Sequence, residues 1–117
     1  LSFTGFIKVI FDKSIMMNST LANGNYPESS FIRANLYETN FEGGIFEKTN
    51  FTGANLTRAN FKAASLIEAN FTNANLFEAD FTGSNILNAN FDGANLNNAT
   101  WTDGKKCGVD SIGQCKK

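Results

Sequence analysis

Few residues in this chain have types and spacing suited to chemistry. Cys107 and Cys115 lie close together near the C-terminus. Such a pair is either two reduced thiols or a disulfide closing a short loop through Gly108, Gly113 and Gln114. A bridge is the preferred reading, and it would imply an oxidising compartment such as a periplasm or an organelle lumen. Two thiols make only half of a zinc site, and the chain has no histidine to complete one. That absence also removes the commonest general base. No glycine-rich phosphate loop follows a strand, and no nucleophile stands beside a base. Lys8, Glu28, Lys48 and Glu68 alternate in sign at a fixed spacing, as do Glu38, Arg58 and Glu78. They read as opposite-charge ladders rather than catalytic carboxylates. The expectation is a protein that is not an enzyme, with no cofactor, no metal and no small-molecule substrate.

What positions these residues is a five-residue beat, clearest from Ala54 to Leu96. It fits neither a strand, with period 2, nor a helix, with period 3.6. A fixed repeat of this kind indicates a solenoid, in which each unit leans on its neighbours. Call the large apolar residue of each repeat its centre. From Leu1 to Trp101 no centre is polar, and the residue two places before it is almost always Ala, Ser, Thr or Gly, with Val9 the exception. Asn usually stands one place before the centre.

These residues resemble the pentapeptide-repeat family, whose motif is Ala-(Asn/Asp)-Leu/Phe followed by two variable positions. The resemblance covers roughly the first hundred residues. It implies an all-β fold, a right-handed quadrilateral β-helix of about five coils, in which centre and small residues both point inward. The expected division is 1–101 for the β-helix and 102–117 for a C-terminal capping tail with a disulfide loop.

Placing residues twenty apart on one side supports a square coil independently. The first side then carries Phe11, Phe31, Phe51, Phe71 and Phe91. The second carries Met16, Leu36, Leu56, Leu76 and Leu96. The third carries Leu1, Leu21, Phe41, Phe61, Phe81 and Trp101, and the fourth Phe6, Tyr26, Phe46, Leu66 and Ile86. Rings on the first and third sides face each other across the core, with slimmer side chains between, which is how a narrow column reaches interior density. The two residues after each centre form the corner. The second holds Gly43, Gly53, Gly83, Gly93 and several Asn, as a type II turn requires. Glu38, Arg58, Glu68 and Glu78 in that slot predict type I corners instead.

Formal charge is −1, so there is no basic patch for nucleic acid. No apolar run is long enough for a membrane span. The start at Leu1, without Met or a signal-like segment, suggests a mature or trimmed form. The Asn-x-Thr runs at Asn50, Asn55 and Asn70 are by-products of the repeat, with Asn instead bonding backbone near the corners.

With inward positions filled, function is left to the surface. Outward apolar residues are Met17, Tyr37 and Phe77 on one side, and Ile7, Ile67 and Leu87 on another. Ile10 and Ile15 replace the usual Asn in a blurred first coil, which reads as a degenerate end or as a sticky end for a partner or a second copy. Two functions follow. The first is an exported structural or protein-interaction module presenting flat faces to a protein partner or to itself, in a bacterial periplasm or a thylakoid-type lumen. The alternative, implied by the resemblance, is an intracellular inhibitor of DNA gyrase that imitates duplex DNA, as quinolone-resistance pentapeptide proteins do. This chain departs from those in its balanced charge, its lack of projecting loops and its cysteine-bearing tail.

Overall fold

A computed structural model of the chain describes residues 8–117. Its backbone climbs in square coils. Each side contributes one bridge residue, and every bridge along the column joins residues twenty apart in parallel, from Ile10↔Ser30 to Asp80↔Thr100. Three families of hydrogen bonds carry the ladder, one of them from each bridge N–H to the small residue's carbonyl in the coil before, as Asn50 donates to Ser29 at 2.9 Å. The centre N–H donates to the next coil's bridge residue, as Phe51 does to Asn70 at 2.7 Å, and the corner N–H donates to the next coil's first corner carbonyl, as Arg33 does to Thr52 at 2.9 Å.

The core is the stack of centres. Phe31, Phe51 and Phe71 lie parallel, with centroids 5.1 and 4.9 Å apart, and Phe41, Phe61 and Phe81 do the same at 4.6 and 5.2 Å. The two ladders meet edge-on, Phe51 against Phe61 at 5.6 Å and 83°. Edge-to-face and offset contacts suit the ring quadrupoles and add about 0.5–1.5 kcal/mol per pair. The small slot is small because the rings fill the layer. A Cβ on Gly24 would lie 2.3 Å from a Tyr26 ring carbon, and one on Gly44 2.4 Å from Phe46. Where the fourth side carries Leu66 instead, the slot holds Ala64. Thr39 and Thr49 also occupy the slot, each donating its hydroxyl to a backbone carbonyl of an earlier coil, Met16 and Tyr26.

The corners overturn one expectation. The second corner residue of every turn from Lys8 to Asn98 has φ between +56° and +71°, including Glu38, Arg58, Glu68 and Glu78. Each turn is closed by a hydrogen bond across it, such as Ala59 N–H to Leu56 C=O at 3.0 Å, so these corners are type II and not type I. The reason is non-local. Type I and type II differ by a flip of the central peptide, and that peptide donates to the coil after it and accepts from the coil before it. Flipping one would break two ladder bonds, worth more than the roughly 1–2 kcal/mol of left-handed strain on a side chain. The polar bridge residues hold the corners from outside. Asn50, Asn60 and Asn70 each accept, at 2.9 Å, the N–H two residues on.

The beat ends after Trp101, whose indole packs on Phe81 and Phe91 at 5.4 and 5.2 Å. Positive φ then falls one place late, on Gly104. The tail turns back as antiparallel bridges on the last coil edge, Thr100↔Lys106 and Asn95↔Ile112. Leu96 N–H donates to Ser111 at 2.7 Å and Cys107 N–H to Ala99 at 2.8 Å. Cys107 is buried and joined to Cys115 by a disulfide. This covers the second and third sides of the end.

Candidate interaction surface

The ladder decides which side chains face out. In each repeat the bridge residue and both corner residues point away from the core, and the same slots of successive coils lie directly above one another. Met17, Tyr37, Thr57 and Phe77 therefore form one column on the second side, tied by Asn18, Glu38 and Arg58 N–H groups donating to the Tyr37, Thr57 and Phe77 carbonyls. Met17 is exposed, while Tyr37 and Phe77 are half-buried.

Beside this column stands a charged one. The Arg58 guanidinium donates to Glu78 at 2.8 Å, and to Glu38 and the Tyr37 hydroxyl at 3.4 Å each. The bond to Glu78, then the Tyr37 and Glu38 contacts, push Arg58 above its already high ordinary value. It is a fixed cation, and both flanking carboxylates are engaged by it. Such exposed pairs add little stability. Their effect is to set the orientation of a ring and a guanidinium on one flat surface.

The fourth side gathers the remaining candidates. Ile67 and Leu87 stack in the equivalent column, Leu87 exposed and Ile67 half-buried. Ile7 lies outside the described residues. Pro27, Glu28, Glu47, Lys48, Ile67 and Glu68 line a shallow depression of about 320 Å³. The charge column here forms two separate pairs, Lys8–Glu28 at 3.7 Å and Lys48–Glu68 at 3.9 Å. Glu47 accepts the Ser65 hydroxyl. Among the described residues no cluster of His, Cys, Asp and Glu is arranged to hold a metal ion, and no helix is long and apolar enough to cross a membrane.

The most exposed apolar groups on the column include the two that the sequence marked as a sticky end, and the sequence reading passed over a third, Ile45. Ile10 and Ile15 are 67% and 79% exposed, and Ile45 also faces out. All three occupy the bridge slot, whose side chain always points outward. An apolar residue standing there in place of Asn was the available signal.

A family model for pentapeptide repeats matches eight copies over residues 14–53, 54–91 and 74–100. A search of the curated proteins gave no match. Among solved structures, a pentapeptide repeat protein from the Arabidopsis thaliana thylakoid lumen is 22% identical, with TM-score 0.79, over 83% of this chain and 70% of that one. The pentapeptide repeat protein Rfr23 from the cyanobacterium Cyanothece 51142 is 32% identical, with TM-score 0.49, over 69% of this chain and 58% of that one. Trypsin-treated QnrB1, a plasmid-mediated fluoroquinolone resistance protein, is 25% identical, with TM-score 0.53, over 83% of this chain. This chain spans 58% of the length of that QnrB1 chain.

Proposed function

The chain belongs to the pentapeptide-repeat family, and on that footing we propose that it is a non-enzymatic, exported structural or protein-interaction module. The observation that carries this reading is the Cys107–Cys115 disulfide, which pins the tail across the end of the column. Such bridges persist outside the reducing cytoplasm, in a bacterial periplasm or a thylakoid-type lumen. The sides support a binding rather than a catalytic role. Many of their polar groups are engaged in corner bonds and charge pairs, and the depression described above is open and shallow. The second side offers Met17, Tyr37 and Phe77 beside Arg58, and aromatic and arginine anchors are enriched in protein interfaces.

The test is a free-thiol count, by alkylation and mass spectrometry, on denatured protein taken from its native cell. No free thiol is the expected result. Two free thiols would sink the export half of the reading.

Identity to QnrB1 at 25% favours a second reading, an intracellular gyrase inhibitor that imitates DNA. Against it, Glu alternates with Lys or Arg along the charged columns, and the net charge is −1. An imitation of the phosphate backbone needs an excess of carboxylates. Inhibition of supercoiling at micromolar protein would establish this second reading instead.

A further inference from the structure

The second side of the column alternates from coil to coil. Tyr37 and Phe77 hold the same corner slot two coils apart, and the shorter Thr57 separates them. The amides beside them follow the same alternation. Asn35 and Asn75 each use their oxygen within the column, accepting the N–H two residues on and the side-chain amide of Asn55 or Asn95. Their own amide nitrogens have no acceptor among the described residues. Asn55 differs, because its nitrogen donates to Asn35 and its oxygen also takes the Thr57 hydroxyl. The side therefore offers a ring beside a free donor, then a coil with no ring and its donor in use, then a ring beside a free donor again.

Two coils rise about 9.6 Å at a strand spacing of about 4.8 Å. One turn of a polyproline II helix, three residues at about 3.1 Å each, rises about 9.3 Å. An extended strand laid along the column does not match, since its side chains return to one face every 6.8 Å or so, at about 3.4 Å per residue. The polyproline II helix has no internal hydrogen bonds, so its carbonyls are open to donors. Aromatic side chains are what recognise proline-rich segments in this form. Charge distinguishes the two edges of the side. On one, Glu38 and Glu78 share Arg58, which leaves a carboxylate in surplus. On the other, Lys13 and Arg33 are exposed in the same slot of successive coils, and neither has an ion-pair partner among the described residues. Asp12 beside them accepts the Ser30 hydroxyl and the Ile32 N–H, so this edge keeps a net positive charge near Tyr37.

We propose that the second side is a docking site for a proline-rich segment of another protein, lying along the column in polyproline II form. Prolines three apart rest on Tyr37 and Phe77, and the Asn35 and Asn75 amides donate to backbone carbonyls of the segment. An acidic residue beyond the Tyr37 end meets Lys13 and Arg33. The exposed Ile15 and Met17 extend the apolar surface at that end. The proposal rests on the interaction half of the reading above and names the class of partner; it makes no use of the export half.

The experiment is an NMR titration of the isotope-labelled full chain with two peptides. One is Asp-Glu-Pro-Ala-Ala-Pro-Ala-Ala-Pro. The other, Asp-Glu-Ala-Pro-Pro-Pro-Ala-Ala-Ala, has the same composition but no prolines three apart. The first is expected to bind at least about tenfold tighter and to move the side-chain amide signals of Asn35 and Asn75. Tyr37→Thr and Phe77→Thr each give the slot the residue type of Thr57, and their spectra away from the site check that they fold. Each should weaken binding at least about tenfold, as loss of an interface anchor does. Arg33→Gln should weaken it less, by a margin that disappears at high salt. No binding of either peptide, equal binding of both, or binding that both Thr variants leave unchanged would overturn the proposal. So would the same amide shifts produced by chitotetraose, or by raising the protein concentration alone, with none from the peptides; these would assign the side to a glycan or to a second copy. The free-thiol count is independent of this titration. A failure here leaves an exported module with a different partner, and free thiols there leave this side as it is.

Discussion

Gly44→Ala isolates the packing rule of the column in one methyl group. The added Cβ would sit 2.4 Å from Phe46 Cε2 and 3.0 Å from Cζ, where ordinary carbon contacts are about 3.5–4.0 Å. Phe46 has nowhere to go. It is fully buried, stacked on Tyr26 at 5.5 Å and edge-on to Phe41 at 5.2 Å. Overpacking of this kind costs about 1–3 kcal/mol. Gly44 is not among the positive-φ residues, so alanine fits its backbone, and loss of unfolded-chain freedom returns about 0.4–1 kcal/mol. The net expectation is a loss of about 1–2 kcal/mol. One coil on, the same pair of slots is Ala64 and Leu66, so Phe46→Leu should make room for the methyl.

The assay is a double-mutant cycle by urea unfolding, with m-values compared so that ΔΔG refers to the same transition. Phe46→Leu alone should lose about 1–2 kcal/mol through the space it leaves. The double variant should be better than the sum of the singles by about 1 kcal/mol or more, since the residues touch. Gly44→Ala at or above wild-type stability would refute the reasoning. Strict additivity would equally show that the small slot is not set by the ring two places on.

Phe51→Ala should lose about 3–5 kcal/mol by opening a cavity between Phe31 and Phe71, and Ala74→Leu about 1–3 kcal/mol by overfilling its layer; thermal melts check both. Ala63→Gly should stabilise by up to about 1 kcal/mol, because Ala63 holds φ +57° and glycine removes that strain, read by the same urea titration. The Lys117 hydrogen bond, helped by the Lys105 N–H, holds the Asp103 carboxyl below its ordinary 3.8. Its contribution to docking the tail is therefore present above about pH 3.8 and lost as pH falls through the lower folded value, seen as faster amide exchange in the tail in acid. Burial raises the Tyr26 hydroxyl above 10.0, so the folded state keeps a proton that the unfolded chain releases. Stability should then decline as pH rises past 10, with Tyr26→Phe removing that part of the decline.

The register and the core identities were readable from the chain because packing repeats them. A centre every fifth residue and a matching residue every twentieth leave one arrangement that buries Phe31, Phe51 and Phe71 together. Glu38, Arg58, Glu68 and Glu78 misled because local preference was applied to a choice made by stacking. Their peptides are oriented by the coils on either side, which no five-residue window contains. The surface candidates were legible only as slots. Slot position brings Met17, Tyr37 and Phe77 into one column, but it does not say that Arg58 ties Tyr37 to Glu38 and Glu78. Ile10 and Ile15 were visible as departures from Asn, and stacking shows why that matters, since the bridge slot always faces out.

The closed C-terminal end of the column differs from its sides for one reason. Within the column every ladder group is satisfied by the coil before or after it, so the sides carry information only in side chains. At an end the ladder itself is exposed, and the chain must cover it or share it. At the C-terminus it does the first, over two sides, with a tail fixed by Cys107–Cys115 and by Ser111, whose hydroxyl donates to Gly108 and accepts from Lys116 N–H. The first and fourth sides of that end keep Ile86, Asn88, Phe91 and Gly93 N–H groups with no hydrogen-bond partner among the described residues. Those four are donors without interleaved free N–H and C=O on one residue, so they suit a parallel neighbour. The disulfide-closed end and the sides therefore ask different things of a partner, because the sides offer side chains alone and this end offers four backbone donors beside a pinned tail.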